Sequence, residues 1–155
     1  MPDAKTLVAL LEAKHLVCAT AESCTGGGIG QAITAVPGSS AVYAGGIVSY
    51  SNDVKHKVLG VSADALARFG AVSSEVAAGM ALGAKRLTGA DLAVSVTGIA
   101  GPGGGSAEKP VGLVWFGLAD ARGVRTEKAL FAGDRARVRE QAVVHALGML
   151  TVAAV

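Results

Sequence analysis

One stretch near the N-terminus joins a predicted strand to a predicted helix through a turn of small polar residues. Residues 16–20 form an apolar run of strand length, and residues 21–28 have the sequence Ala-Glu-Ser-Cys-Thr-Gly-Gly-Gly. Apolar residues then recur at helical spacing until residues 37–38, Pro-Gly, stop the pattern. Ser23 and Thr25 are therefore predicted at or just before a helix N-terminus, where free N–H groups and the macrodipole favour an anion. Either residue can equally be a simple helix cap.

The alternation of helical and strand patterns continues along the whole chain. Polar residues placed to cap predicted helices are Asp3, Ser51, Ser62 and Asp134, and residues 71–75 lead into a further, longer helix. Strand patterns cover residues 44–50, 92–97, 111–118 and 124–131, and the last two form a predicted hairpin. We therefore predict the α/β class, with residues 1–155 as a single domain of three α/β/α layers around a mixed sheet.

Composition excludes several classes of protein. Hydrophobic residues make up 51% and aromatic residues 4%, so the predicted core is mostly aliphatic. The net charge of +2 comes without a basic run, which argues against a nucleic-acid partner. Two cysteines suggest no disulfide framework, and no apolar run approaches the ~20 residues that span a bilayer. We expect a cytoplasmic protein without a membrane partner.

Two glycine clusters each follow a predicted strand. The first lies at residues 26–28 and the second at residues 98–105. Neither has the spacing of a P-loop or of a dinucleotide-binding fingerprint. Because ligands of open α/β sheets bind beyond the carboxyl ends of strands, the two clusters predict two walls of one site. The alternative is that both are only flexible connections.

Lys55 is the most informative charged residue of the sequence. It is predicted in the first turn of a helix, where the macrodipole disfavours a cation and lowers its pKa. A deprotonated lysine can accept the proton of a serine hydroxyl, as in Ser-Lys hydrolases. Lys57 is an equal candidate by spacing, and both can be ordinary solvated lysines. Tyr50 ends the preceding predicted strand, which would place its hydroxyl near Lys55, although a packing role is the simpler interpretation.

Other polar residues leave further alternatives open. Cys24, beside Ser23, is a rival nucleophile if its thiol is ionised. The histidines have no metal-ligand spacing: His15, His56 and His145. Three arginines in the last helix are candidates for a phosphate contact, although such residues are usually solvated: Arg135, Arg137 and Arg139.

Several motifs in matching order resemble the CinA C-terminal domain family over nearly the whole chain. They are Ala-Glu-Ser-Cys-Thr-Gly-Gly at 21–27, Tyr-Ser-Asn-Asp-Val-Lys at 50–55, Gly-Ala-Val-Ser at 70–73, Val-Thr-Gly-Ile-Ala-Gly-Pro-Gly-Gly at 96–104, Lys-Pro-Val-Gly at 109–112 and Gly-Asp-Arg at 133–135. Members are nicotinamide mononucleotide deamidases, which release ammonia to give nicotinic acid mononucleotide in pyridine nucleotide recycling. The resemblance therefore implies a nucleotide substrate, a stand-alone form of the family, a homo-oligomer and no cofactor or metal.

The resemblance also implies roles for individual residues. By motif position the nucleophile is Ser23 and the base is Lys55, with Tyr50 as a further catalytic residue. The substrate side is implied to comprise Glu22, Thr25, Gly26, Gly27, Thr97, Gly98 and Arg137. Within it, N–H groups of residues 25–27 are expected to hold the oxyanion, Glu22 has no assigned step, and the phosphate contact stays open between Arg137 and its two neighbours. The rival hypotheses are a nucleotide sensor without turnover and a cysteine amidase.

Overall fold

The computed structural model describes residues 3–155, which form six α-helices and five strands. The helices are α1 Ala4–Lys14, α2 Gly28–Thr34, α3 Asn52–Lys57, α4 Ala63–Phe69, α5 Ser74–Thr88 and α6 Arg135–Ala154. The strands are β1 Cys18–Glu22, β2 Tyr43–Val48, β3 Leu92–Gly98, β4 Leu113–Asp120 and β5 Gly123–Leu130. A short 3₁₀ helix, Ser39–Ala41, precedes β2.

The strands form one mixed sheet in the order β2-β1-β3-β4-β5. The first three are parallel, whereas β4 and β5 are antiparallel and joined as the predicted hairpin. In the register, Glu22 at the end of β1 lies between Val48 of β2 and Val96 of β3. The carboxyl ends of the three parallel strands therefore meet at one edge of the sheet, where the sequence pattern predicts a ligand site.

Helices cover both faces of the sheet, which confirms the three-layer prediction. Helices α1, α2 and α6 pack on one face around an aliphatic core that includes Phe116. Helix α5 crosses the other face, where Leu59 and Val61 join its apolar side. Small residues allow this close approach, since Gly117 of β4 lies against the main chain of Ala77 in α5. A larger side chain at Gly117 would push α5 away from the sheet.

The predicted caps begin their helices, as does Ser73, which was not predicted as a cap, and several strand boundaries differ from the prediction, two of them beside the site. Side chains of Asp3, Ser51, Ser62, Ser73 and Asp134 each accept a backbone hydrogen bond at a helix start. Strand β1 extends to Glu22 because it pairs on both sides, so the strand reaches the residue before Ser23. Strand β2 ends at Val48, so Tyr50 lies in the following loop and not in the strand. Within residues 3–155, no helix combines the length and apolar character needed to cross a membrane.

Candidate active site

A pocket of about 290 Å³ lies at the carboxyl ends of the parallel strands. It contains the two residues that the sequence singles out as nucleophile and base, Ser23 directly after β1 and Lys55 on α3. Its lining consists of Ser23, Cys24, Tyr50, Asn52, Lys55, Ala71, Val72, Thr97, Gly98, Ile99, Ala100, Gly101, Gly103, Gly104 and Arg135. Five separate segments of the chain thus converge on one small polar cavity.

The amine of Lys55 is buried and reaches the hydroxyl of Ser23. Its side chain has only 1% exposure, and Nζ lies 3.0 Å from Ser23 Oγ. The same nitrogen donates to the main-chain carbonyls of Ser49 at 2.7 Å and Tyr50 at 3.2 Å. A neutral amine has two N–H donors, and the two carbonyls accept both. In the structure Nζ donates to Ser23 Oγ as well; only in the neutral form is its lone pair left for the Ser23 O–H, the arrangement that proton abstraction requires.

Burial, and not the helix dipole, lowers the pKa of Lys55 below its ordinary value. The prediction from the macrodipole is wrong because α3 has only six residues and Lys55 lies in its last turn. In residues 3–155 no carboxylate lies within ion-pair distance of this lysine, so no opposite charge offsets the cost of burying an ammonium. Lys57, the alternative candidate, is exposed and pairs with Asp53 at 3.1 Å.

Cys24 lines the same pocket but is poorly suited to attack. Its residue has 6% exposure, and burial raises the pKa of the thiol to about 11. A thiol in that state is protonated near neutral pH, and the protonated form is a poor nucleophile. The geometry therefore favours the hydroxyl of Ser23, which has the amine of Lys55 beside it.

Glu22 fastens the turn that carries Ser23. Its carboxylate accepts hydrogen bonds from Thr25 Oγ1 at 2.6 Å, from Ile29 N at 2.9 Å and from Gly30 N at 3.0 Å. These main-chain donors belong to the start of α2, so a buried carboxylate already occupies the place of an anion at this helix N-terminus. The capping prediction for Ser23 and Thr25 is wrong, since the N-cap position is Gly27 and no side-chain cap bond forms there.

The first glycine cluster lies behind the pocket. Thr25, Gly26 and Gly27 do not line it, and the N–H of Gly26 donates to the carbonyl of Ser23 at 3.0 Å. Gly26 and Gly27 have φ of 59° and 103°, values that favour glycine and allow the sharp path from strand to helix. The prediction that both glycine clusters form walls is therefore correct only for the second cluster.

Thr97 and Gly98 at the end of β3 do line the pocket, as predicted. Thr97 is buried, and its hydroxyl donates to the carbonyl of Ala71 at 2.9 Å, which ties the strand to the loop before α5. A side chain at Gly98 would lie 2.9 Å from the carbonyl oxygen of Leu113. Gly98 therefore serves close packing against β4 as well as the pocket wall.

Tyr50 lines the pocket in a different manner from the prediction. Its side chain is exposed, and its hydroxyl accepts a hydrogen bond from Arg135 Nη2 at 3.2 Å. The contact with Lys55 comes from the main-chain carbonyl of Tyr50, not from the hydroxyl. The expected position of the hydroxyl beside Lys55 is wrong because the strand ends two residues earlier than predicted.

Arg137 lies outside the pocket, and Arg135 takes the position expected for it. Arg137 pairs with Glu140 at 3.0 Å on the exposed side of α6. Two residues along a helix correspond to a rotation of about 200°, so Arg135 and Arg137 cannot share a face. Arg139 lies on the same side as Arg135 but donates to the carbonyls of Cys24 and Thr25. The implied substrate role of Arg137 stays a prediction, which its position outside the pocket does not support.

Several lining residues carry no chemical signal in the sequence. Asn52 follows the Ser51 cap of α3, and Ala71 and Val72 lie in the loop before α5. Small apolar residues in loops can be identified as lining residues only from the three-dimensional structure, in which the segment before α5 lies at the end of β3. The one available signal was the motif Gly-Ala-Val-Ser at 70–73, whose place relative to Lys55 the sequence does not give.

Comparison with known proteins decides the family. The model of the CinA C-terminal domain matches residues 2–153. The chain belongs to this family. The resemblance seen in the motifs is thereby confirmed, and as a CinA C-terminal domain the chain has relatives of two lengths.

The short relatives are nearly co-extensive with this CinA domain. It is 57% identical over 140 residues to the nicotinamide-nucleotide amidohydrolase PncC of Enterobacter agglomerans, with 90% of this chain and 85% of that protein covered. It is 52% identical over 143 residues to a putative competence-damage inducible protein of Moorella thermoacetica, with 92% of this chain and 34% of that protein covered. The chain thus spans about a third of the length of this longer relative.

Solved structures confirm the fold. The competence/damage inducible protein CihA from Agrobacterium tumefaciens superposes with a TM-score of 0.94 at 46% identity, covering 97% of this chain and 92% of that one. A CinA superfamily protein from Klebsiella pneumoniae gives 0.93 at 36% identity, with 97% and 94% covered. The three-layer mixed-sheet architecture is therefore that of the CinA superfamily.

Proposed function

We propose that this chain is a nicotinamide-nucleotide amidohydrolase that converts nicotinamide mononucleotide and water to nicotinic acid mononucleotide and ammonia. The observation that carries the proposal is the buried contact of 3.0 Å between Ser23 Oγ and Lys55 Nζ. The name of the relative from Enterobacter agglomerans, 57% identical, supports the substrate class. The reaction belongs to pyridine nucleotide recycling in the cytoplasm, and no cofactor takes part in any of the steps below.

The first step acylates Ser23. Neutral Lys55 accepts the hydroxyl proton while Oγ attacks the carboxamide carbon, which gives a tetrahedral intermediate with a negative oxygen. Main-chain donors in the pocket wall would stabilise that oxygen, Cys24 N–H among them, since residues 25–27 lie behind the wall. The ammonium of Lys55 then protonates the departing nitrogen. The C–N bond breaks, ammonia leaves and an ester on Ser23 remains.

The second step returns the enzyme to its starting state. Water attacks the ester carbon and gives a proton to Lys55, which is neutral again after ammonia has left. The C–O bond to Ser23 breaks, and Lys55 returns the proton to Oγ as the nicotinate carboxylic group is released. Two carbonyls, of Ser49 and Tyr50, hold Nζ in place throughout, because they accept hydrogen bonds from either protonation state.

Glu22 and Thr97 serve this chemistry as positioning residues. Glu22 fixes the turn behind Ser23 through Thr25 and the start of α2. Thr97 fixes the end of β3 against Ala71. Both bonds hold the nucleophile and the opposite wall at constant separation, which effective catalysis needs when the two reacting groups come from different elements.

The test is ammonia release from nicotinamide mononucleotide by the wild type and by Ser23→Ala and Lys55→Ala. We expect release by the wild type and a loss of about 10³-fold or more in each variant. Matched controls are Cys24→Ser for the neighbouring nucleophile and Lys57→Ala for the exposed lysine of the same helix. Circular dichroism and thermal unfolding of each variant establish that it is folded.

Two outcomes would overturn the proposal. A folded wild type that binds the nucleotide and releases no ammonia would make the protein a sensor. Loss of activity in Cys24→Ser together with retention in Ser23→Ala would make it a cysteine amidase.

A further inference from the structure

One buried hydroxyl beside the base has no hydrogen-bond partner. Ser49 follows β2 and has 0% exposure, and its Oγ makes no hydrogen bond in the part of the chain that the structure describes. Within residues 3–155 it is the one buried side-chain nitrogen or oxygen atom in this condition. A buried hydroxyl without a partner costs folding free energy, and an alanine would fill nearly the same space without that cost. The hydroxyl therefore does not serve the stability of the resting fold.

The register of the sheet places Ser49 in the same row as the nucleophile. Ala21 of β1 pairs with Ile47 of β2, and the bond from Ser49 N to Glu22 O at 2.8 Å continues this pairing beyond the end of the strand. Side chains alternate between the two faces of a sheet, so Ser23 and Ser49, each two residues further on, project from the same face. Neighbouring strands are ~4.8 Å apart, which makes the two serines direct neighbours.

The amine of Lys55 lies against the same residue. Its Nζ donates to the carbonyl oxygen of Ser49 at 2.7 Å, which is the shortest of its three contacts. Only Cα and Cβ separate that carbonyl group from the hydroxyl oxygen, and rotation about the Cα–Cβ bond moves the hydroxyl without any change of the main chain. The other ionisable residues of the pocket lining are Cys24, Tyr50 and Arg135, so the lining offers the amine no carboxylate.

We propose that the Ser49 hydroxyl turns towards Lys55 when the amine becomes an ammonium, and shares the N–H that donates to the Ser49 carbonyl. One N–H shared by two acceptors is a common arrangement, and a charged donor forms the stronger hydrogen bonds. A further N–H stays free to protonate the departing nitrogen. The inference rests on the proposed function, in which Lys55 gains a proton from Ser23. Ser49 does not line the pocket, so it is a positioning residue that acts through the base.

The test titrates Lys55 itself and does not depend on turnover. Proteins with isotope-labelled lysine are titrated by NMR spectroscopy, and Lys55→Met identifies the Lys55 signal by its loss. Because the hydroxyl stabilises the charged form, we expect Ser49→Ala to lower the titration midpoint of Lys55 by about half a pH unit or more. We expect kcat for ammonia release to fall about threefold or more in this variant. Ser49→Thr keeps the hydroxyl and should keep the midpoint.

Ser95→Ala is the matched control. Ser95 is a buried serine on the same face of the sheet, since it pairs with Ala21, but its hydroxyl donates to the carbonyl of Ala77 at 2.6 Å. Its replacement should lower the thermal unfolding temperature and leave the Lys55 midpoint unchanged. Ser49→Ala should leave the unfolding temperature unchanged or raise it. A merely structural role of Ser49 would give the opposite result, a loss of stability with a constant midpoint.

The outcomes separate this inference from the proposed function. An unchanged midpoint in folded Ser49→Ala would overturn the inference even if the wild type releases ammonia. A lowered midpoint in a protein that releases no ammonia would support the contact with the ammonium and defeat the amidohydrolase. An equal fall of the midpoint in Ser95→Ala, or in folded Ser49→Thr, would also overturn the inference, because the effect would then not belong to the Ser49 hydroxyl.

Discussion

The floor of the pocket, beside Ser23, and its rim, beside Tyr50, each hold one basic residue that has no carboxylate partner within residues 3–155, yet this lack has different consequences for a lysine and for an arginine. On the floor, Lys55 has 1% exposure, and burial lowers its pKa. At the rim, Arg135 donates to two neutral oxygens. A lysine without a counter-ion can lose its proton, whereas a guanidinium keeps its charge. In the proposed mechanism the unpaired lysine is the base, whereas an unpaired guanidinium in the same pocket stays a cation.

Lys55→Arg would break this comparison most strongly. An arginine on the floor keeps its proton and cannot act as the base, so we expect kcat to fall about 10³-fold or more. The measurement is ammonia release at saturating nucleotide, with Lys57→Arg as the control on the exposed face of the same helix. Activity within a few-fold of the wild type would show that Ser23 does not need a neutral amine beside it.

The pH profile of kcat/KM tests directly whether the active form of the enzyme has a deprotonated Lys55. The active form of Lys55 is deprotonated, so activity rises with pH by about tenfold per unit below its pKa and is level above it. The inflection is expected below the ordinary lysine value because burial lowers the pKa. Arg135→Gln should lower kcat/KM by the same factor at every pH and leave the inflection unchanged. A profile that falls with increasing pH over this range would contradict a lysine base.

The free energy of unfolding shows how much the burial of the Lys55 amine destabilises the folded protein. Lys55→Met keeps most of the side-chain volume and removes the amine, and we expect the free energy of unfolding to rise by about 1 kcal/mol near neutral pH. The folded wild type binds fewer protons than the unfolded chain between the lowered pKa and the ordinary value, so its stability rises with pH there. The advantage of methionine should therefore be greatest below the lowered pKa and shrink at higher pH. Urea titrations at several pH values measure it, and an advantage that grows with pH would contradict burial as the cause.

Tyr50→Phe is the smallest expected change and concerns only the rim. It removes the hydroxyl that accepts from Arg135 Nη2 and keeps the carbonyl that accepts from Lys55. We expect KM for the nucleotide to change about two- to fivefold and kcat to stay nearly constant, as for one neutral hydrogen bond near solvent. Steady-state kinetics separate the two constants. A large loss of kcat would return the hydroxyl to a role in proton transfer.

The sequence predicts the fold well because local signals and the global pattern agree. Polar caps such as Ser62 and Asp134 begin their helices where predicted, and the hairpin turn joins β4 to β5. The strand end near Tyr50 was misplaced by two residues, since β2 ends where its pairing with β1 ends, which depends on the neighbouring strand. The spacing of residues along one helix or strand can thus be predicted from the sequence, whereas the pairing between strands is harder to predict.

The residues on the floor of the pocket were predicted correctly from the sequence, and those at the rim were predicted less well. Ser23 and Lys55 lie side by side as expected. Ser23 comes directly after β1, and Lys55 lies on the short helix α3, whose start is marked by a clear cap. The arginine at the rim depends on the rotation of α6, and the motif alone could not separate Arg135 from Arg137. The role of Glu22 was not predicted because two of its three partners are main-chain N–H groups of α2, which have no signature in the sequence.

The lysine on the floor is held by the main chain, which affects how the site tolerates mutation. Its two carbonyl partners belong to residues 49 and 50. Every amino acid has that carbonyl, proline included, so no single substitution at these positions deletes either carbonyl. Substitutions in this loop can therefore change the side chains at the rim of the pocket while the two hydrogen bonds to the amine are kept. An insertion or deletion that changes the path of this loop would remove the hydrogen bonds to the amine.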